Sequence, residues 1–225
     1  MTGTGCGHRS LTLVGVVVES TRPIRAAHRG GGLLPAALTC LLALGALCAL
    51  FVWTPPGQLL DEQVLHRADP GSAAYENARA LLAVAGDPLV LAGLLAAVLV
   101  VGAFGGRLRA AVAGSVAVGA SIAASRLLKV VVPRPDLELV GSTTHNSFPS
   151  GHVAAAAGLL FALLIALPPR ARWWCAVPGA AVVAAVGAAT VIAGWHRFSD
   201  VAGAALLAAA CGCVAASAER RWRQV

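Results

Sequence analysis

Long runs of Ala, Leu, Val, Gly and Ile punctuate this chain, and each closes on a polar or basic segment. They cover residues 33–53, 88–104, 110–132, 150–167 and 174–194, with a sixth that follows Asp200 and ends near Ser217. At about 17–23 residues each, these runs have the length a helix needs to cross the hydrocarbon core of a bilayer. With 58% hydrophobic and only 12% charged residues, the chain has too little charge to cover a soluble domain of its size. The expected fold is all-α, a bundle of six transmembrane helices forming one domain over 33–217. A poorly ordered cytoplasmic tail, 1–32, is expected before it and a basic cytoplasmic tail, 218–225, after it. The apolar stretch Leu11–Val18 is too short to span and is followed by Arg22, Arg25 and Arg29, so it is read as part of the tail.

Charge sets the orientation. The N-terminal tail, the turn 105–109, the turn 168–172 and the C-terminal tail share one side and are basic, whereas 54–87 lies on the other and is net acidic. The positive-inside rule puts both termini in the cytoplasm of a multi-pass protein of the cytoplasmic membrane. Trp53, Trp173, Trp174, Trp195 and Trp222 all fall at or beyond segment ends, as an interfacial belt requires. Net charge is +7, but the arginines are dispersed between apolar segments, a pattern of membrane topology that argues against nucleic acid as a partner. Cys40, Cys48, Cys175, Cys211 and Cys213 lie in apolar segments without a CxxC pair and read as packing residues. Gly102–Gly106 reads as a close helix contact. Within 54–87, the run Gly71–Ala85 is helix-forming.

Against this background residues 145–152, His-Asn-Ser-Phe-Pro-Ser-Gly-His, stand apart. Pro149 stops any incoming helix, and Ser150 is placed to cap a new one whose first turn carries Gly151 and His152. Free N–H groups and the positive end of a helix dipole suit an anion there. The six-helix topology brings two further polar segments to the same extracytoplasmic face: Arg126, Lys129 and Arg134 around the end of the third span, and His196, Arg197 and Asp200 before the sixth. Several cations at one membrane depth with a helix N-terminus describe a phosphate pocket. His196 and Asp200 are four residues apart, so the carboxylate can hold one ring nitrogen and leave the other to attack phosphorus. His152 can then protonate the departing oxygen. Two histidines and a carboxylate need no metal, and no cofactor is expected. Each segment alone also fits a plainer role: snorkelling for Arg126 and Lys129, an exposed loop for Arg134-Pro135, capping for His196 and Asp200. His145, Asn146, Asp136 and Glu138 read as loop or substrate rim, and His8, His28 and His66 as solvated.

Lys129…Arg134-Pro135, then Pro149-Ser150-Gly151-His152, then His196-x-x-x-Asp200, in that order, resembles the type-2 phosphatidic acid phosphatase superfamily over about 110–217. The resemblance implies a six-helix membrane lipid phosphatase in which His196 is the nucleophile and forms a phosphohistidine. It makes Asp200 the residue that orients His196, and His152 the acid that protonates the leaving group and later activates water. Lys129, Arg134, Ser150 and Gly151 would bind phosphate. Two departures stand out. Four residues separate Lys129 from Arg134-Pro135 where the family usually has six, so Arg126, one turn earlier, is a candidate to share the task. Ala189 and Thr190 occupy the places of a usual Ser-Arg pair, and Arg197 is the candidate replacement.

The expected partners are membrane lipids and a lipid phosphate substrate, whose head group reaches the cations while its tail stays in the bilayer. Polyprenyl pyrophosphates, phosphatidic acid, phosphatidylglycerol phosphate and polyprenyl-linked sugar phosphates all fit. Alternatives are a phosphotransferase with an acceptor other than water and a non-catalytic lipid-phosphate carrier that keeps the pocket. The six spans argue against a vanadium haloperoxidase.

Overall fold

The computed structural model describes residues 32–65, 68–139 and 145–222. Most of the N-terminal tail, His8, His28 and His66 lie outside the described residues. Eight helices occupy the described residues, which include no strand: α1 (Leu33–Val52), α2 (Pro55–Leu65), α3 (Ala73–Ala85), α4 (Pro88–Phe104), α5 (Leu108–Val131), α6 (Gly151–Ala166), α7 (Pro169–Ile192) and α8 (Phe198–Trp222). The all-α expectation holds, and the apolar runs become α1 and α4 to α8.

Local chemistry sets the boundaries. Asp87 caps α4 by accepting from Leu89 N at 2.7 Å, with Pro88 just inside the helix where its missing N–H costs nothing. Ser72 caps α3 through Tyr75 N. Gly106, at φ +63, makes the reversal between α4 and α5, a conformation that suits glycine. The basic turns have a structural task beside the topological one. Arg107 donates to the carbonyls of Ile165 and Ala166, and Arg172 to that of Leu167, so both cover orphan acceptors at the C-terminal end of α6.

Helices α5, α6 and α8 pack on one another at the centre, with α1 against α8, α4 against α5 and α6, and α7 against α6. Small residues set the spacing: a Cβ on Gly114 of α5 would lie 2.7 Å from the Cα of Ala162 on α6. Likewise a Cβ on Gly102 would lie 2.4 Å from that of Ala111, the close contact expected of that glycine run. The outward faces are apolar and uncovered, with Leu89, Phe104, Val116, Val130 and Val182 exposed, as lipid-facing surface requires.

Helices α1, α5, α7 and α8 are long and apolar enough to cross a membrane, and α3 with α4 forms a fifth candidate span bent by 58°. The protein is a membrane protein. Helix α6, with 16 residues, is apolar but shorter. Three boundaries differ from expectation. Helix α2 falls in a stretch where only 71–85 was expected to be helical. Helix α7 starts at Pro169, inside the expected basic turn. Helix α8 continues past Ser217 to Trp222, because Ala, Glu and Arg favour helix whether or not the run stays apolar.

If the α5–α6 contact sets the bundle, Gly114→Ala should lower the thermal unfolding temperature in detergent, a loss of about 1–3 kcal/mol. Gly119→Ala on the same helix, where a Cβ meets nothing within 4 Å, should be neutral or gain up to ~1 kcal/mol of helix propensity.

Candidate active site

The start of α6 is held on three sides. Asn146 donates through Nδ2 to Val132 O at 2.7 Å and accepts from Phe148 N at 3.0 Å, which ties the loop to the end of α5. Phe148 is buried with Leu44, Cys48, Val52 and Leu207, against Gly203, and the Phe148–Pro149 bond is cis. Ser150 donates its N–H to the Asp200 carbonyl at 3.0 Å, and its hydroxyl caps α6 by accepting from Val153 N. The expected Ser150 cap is therefore present. Because the Ser150 N–H is already used, the helix-start donors left for an anion are those of Gly151 and His152. His152 is half-buried on this first turn. Its ring lies 5.7 Å from that of Trp195, and its Nε2 abuts Gly86, where a Cβ would come within 2.8 Å.

The second segment is the corner between α7 and α8. Thr190 O accepts from Trp195 N and His196 N, which ends α7, and Gly194 turns the chain at φ +67. Asp200, 1% exposed in the first turn of α8, then gathers three donors on one oxygen. Its Oδ2 lies 3.2 Å from His196 Nδ1, 2.6 Å from Ser147 Oγ and 2.9 Å from Arg197 N. With Asp200 ionised, Nδ1 is the ring nitrogen that donates to it, and Nε2 of His196 is the one the carboxylate does not engage. His152 is within electrostatic reach of His196 and Lys129.

The cations divide into two kinds. Lys129, half-buried in the last turn of α5, is within electrostatic reach of Asp200, and Arg126 is exposed one turn earlier. Arg134 and Arg197, 6% and 2% exposed, both donate to Oε1 of Glu62: Arg134 through Nη2 at 3.2 Å, Arg197 through Nε at 3.1 Å and Nη2 at 2.6 Å. Arg197 also donates through Nη1 to Ser147 Oγ at 2.7 Å, which joins Glu62 to the Asp200 cluster. Burial and the neighbouring Arg197 charge pull the Arg134 guanidinium below its ordinary value, opposed by Glu62, Asp61 and Asp200.

Helix α2 supplies the residues that sequence reasoning missed. Asp61 accepts from the backbone N–H of Ser199 at 3.2 Å and from its hydroxyl, so a carboxylate faces the start of α8. Burial pushes the Asp61 carboxyl up, opposed by these two hydrogen bonds. Gln58 donates to Val52 O at 2.7 Å and Pro135 O at 3.1 Å, linking α2 to the loop that carries Arg134. One signal could have found them: residues 58, 61 and 62 share one face of a helix. Among the described residues no group of three or more His, Cys, Asp or Glu side chains is arranged to hold a metal ion.

Chemically, the site pairs an imidazole nitrogen fixed by a buried carboxylate with a second imidazole and a set of cations at a helix start. That is equipment for moving a phosphoryl group. A family model described as the PAP2 superfamily matches residues 110–224, about half of the chain. The match takes in Lys129, Arg134, Ser147, Ser150, His152, His196, Arg197 and Asp200, while α1 to α4 lie outside it. Comparison with curated proteins and with solved structures gives no match. On the family match, the chain belongs to the PAP2 superfamily, whose members are generally phosphatases.

Proposed function

We propose that this protein is a membrane phosphatase that hydrolyses a lipid-linked phosphate monoester or pyrophosphate through a phosphohistidine at His196. The observation that carries the reading is the hold on that residue: Asp200 Oδ2 sits 3.2 Å from Nδ1, itself steadied by Ser147 Oγ and Arg197 N. Nε2 of His196 attacks phosphorus in line with the bond to the leaving group. That bond breaks as protonated His152 gives its proton to the departing oxygen. Neutral His152 then takes a proton from water, whose oxygen attacks the phosphohistidine. The P–N bond breaks, its electron pair returns to Nε2, and orthophosphate leaves. Lys129, Arg134, Arg197 and the N–H groups at Gly151 and His152 neutralise charge on the equatorial oxygens, and Ser150 fixes that helix start. Arg126, from its exposed position, draws the anionic head group toward Lys129.

The six-span reading supports a lipid substrate. It counts α1, α4, α5, α6, α7 and α8 as the spans and places the site at the extracytoplasmic end, opposite the arginine-rich turns. With 16 residues, α6 extends ~24 Å and falls short of the ~30 Å hydrocarbon thickness, so on this reading its start lies a few Å below the head-group boundary, within reach of a lipid phosphate. Phosphatidic acid, phosphatidylglycerol phosphate and polyprenyl pyrophosphates have the required chemistry.

His196→Ala should abolish turnover of a lipid phosphate panel and the acid-labile phosphoenzyme trapped in the wild type. Asp200→Asn, which spoils the tautomer, should lower kcat by about two to four orders of magnitude. A phosphoenzyme that survives His196→Ala would refute the assignment. Activity should persist in EDTA, and an absolute need for an added divalent ion would refute the metal-independent mechanism. In a cysteine-free background, an impermeant maleimide should label His145→Cys on intact cells and Arg170→Cys only after permeabilisation; the reverse pattern would invert the topology.

A further inference from the structure

Within the phosphatase reading, the arginine absent at 189–190 leaves a gap that α2 is built to close. Ala189 and Thr190 are buried, and the Thr190 carbonyl is committed to the α7–α8 corner, so no cation can come from there. Arg197 lies beyond that corner, and its guanidinium is fixed at both ends: Nε and Nη2 on Glu62, Nη1 on Ser147. Arg134 reaches the same Glu62 oxygen. Two buried guanidinium groups repel each other, and only an anion between them lets both stay charged and close. Glu62, 4% exposed, is that anion. Its place is set independently by the neighbours on its helix, Asp61 on Ser199 and Gln58 on Val52 and Pro135. The arrangement leaves two buried atoms unsatisfied, Oε2 of Glu62 and Nε of Arg134. A buried guanidinium N–H without an acceptor is costly and unusual, and here it leaves a donor for a ligand oxygen.

We propose that Glu62 is a positioning residue of the phosphoryl-transfer site, assembling Arg134 and Arg197 on one carboxylate oxygen so that Arg197 takes the part of the missing arginine. Glu62 touches no reacting atom. It acts on substrate through the two arginines, and so on binding more than on the attack by His196. The proposal rests on the phosphatase reading but concerns a helix outside the family match.

The test uses the purified full-length chain in detergent micelles, short-chain phosphatidic acid as substrate and orthovanadate as phosphate mimic. Glu62→Gln should raise KM and the vanadate inhibition constant together by about tenfold or more, while kcat stays within about threefold. Glu62→Asp, which keeps the charge on a shorter arm, should fall between. Adding Glu62→Gln to Arg197→Ala should cost less than the two single losses combined, because only the Glu62–Arg134 contact is then left to lose. Unchanged KM and vanadate inhibition, a fall in kcat alone, or additive losses would overturn the proposal. So would tighter vanadate binding, which would make Glu62 a competitor of substrate. If Glu62→Gln does not fold, Glu62→Asp decides, and wild-type behaviour in it refutes the idea. If the wild type turns over no lipid phosphate, the phosphatase reading fails by itself. Vanadate-induced thermal stabilisation then decides the positioning role, expected in the wild type and diminished in Glu62→Gln; its absence from the wild type, or equal size in both, rejects the role.

Discussion

One carboxylate oxygen, Oδ2 of Asp200, joins the parts of this site that are far apart in the chain. It receives Ser147 from the loop before α6, His196 from the corner after α7 and the backbone N–H of Arg197 at the start of α8. The Asp200 carbonyl holds Ser150 N as well. A single residue thus fixes the relative depth of two helix starts and the rotation of the His196 ring. An ion this buried would cost on the order of several kcal/mol if unpaired, so its donors are a condition of its being charged at all.

The same condition extends outward. Asp61, Glu62 and Asp200 face Lys129, Arg134 and Arg197, three formal negative charges against three positive, inside an apolar bundle. Arg134 and Arg197 both donate to the Glu62 carboxylate and Arg197 also to the Ser147 hydroxyl, and α2 supplies two of the three carboxylates. The charge gathers where α5 ends and α6 begins, and the glycine-mediated contact of Gly114 on Ala162 lies toward the opposite ends of those two helices. The apolar contacts hold the helices at a spacing that the polar contacts then use.

Much of this was legible in the sequence. Apolar runs of spanning length gave α1 and α4 to α8 within a few residues, and Pro149-Ser150 marked the start of α6 through ordinary capping chemistry. The four-residue spacing of His196 and Asp200 foretold their contact. Helix α2 was hidden because Thr54-Pro55-Pro56-Gly57 reads as a loop and the helix has little apolar periodicity. Its order comes from buried partners, Ser199, Arg134 and Arg197, 72 to 138 residues away, and no local pattern encodes such partners. Ser147 was in view within the stretch around Pro149, but its importance depends on Asp200 lying opposite. Arg197 was singled out as a replacement cation, whereas the carboxylate that steadies it was not foreseen.

The break between α3 and α4 bears on His152. The neighbours described for its ring are the Trp195 indole and the main chain at Gly86, where there is no room for even a methyl group. His196 is clamped by a charge, whereas His152 is confined by shape. A ring kept in place by its walls can lose a proton and regain it without letting go of an anchor. On the proposed mechanism, the break between α3 and α4 would thereby give the imidazole of α6 a fixed seat through both halves of a turnover.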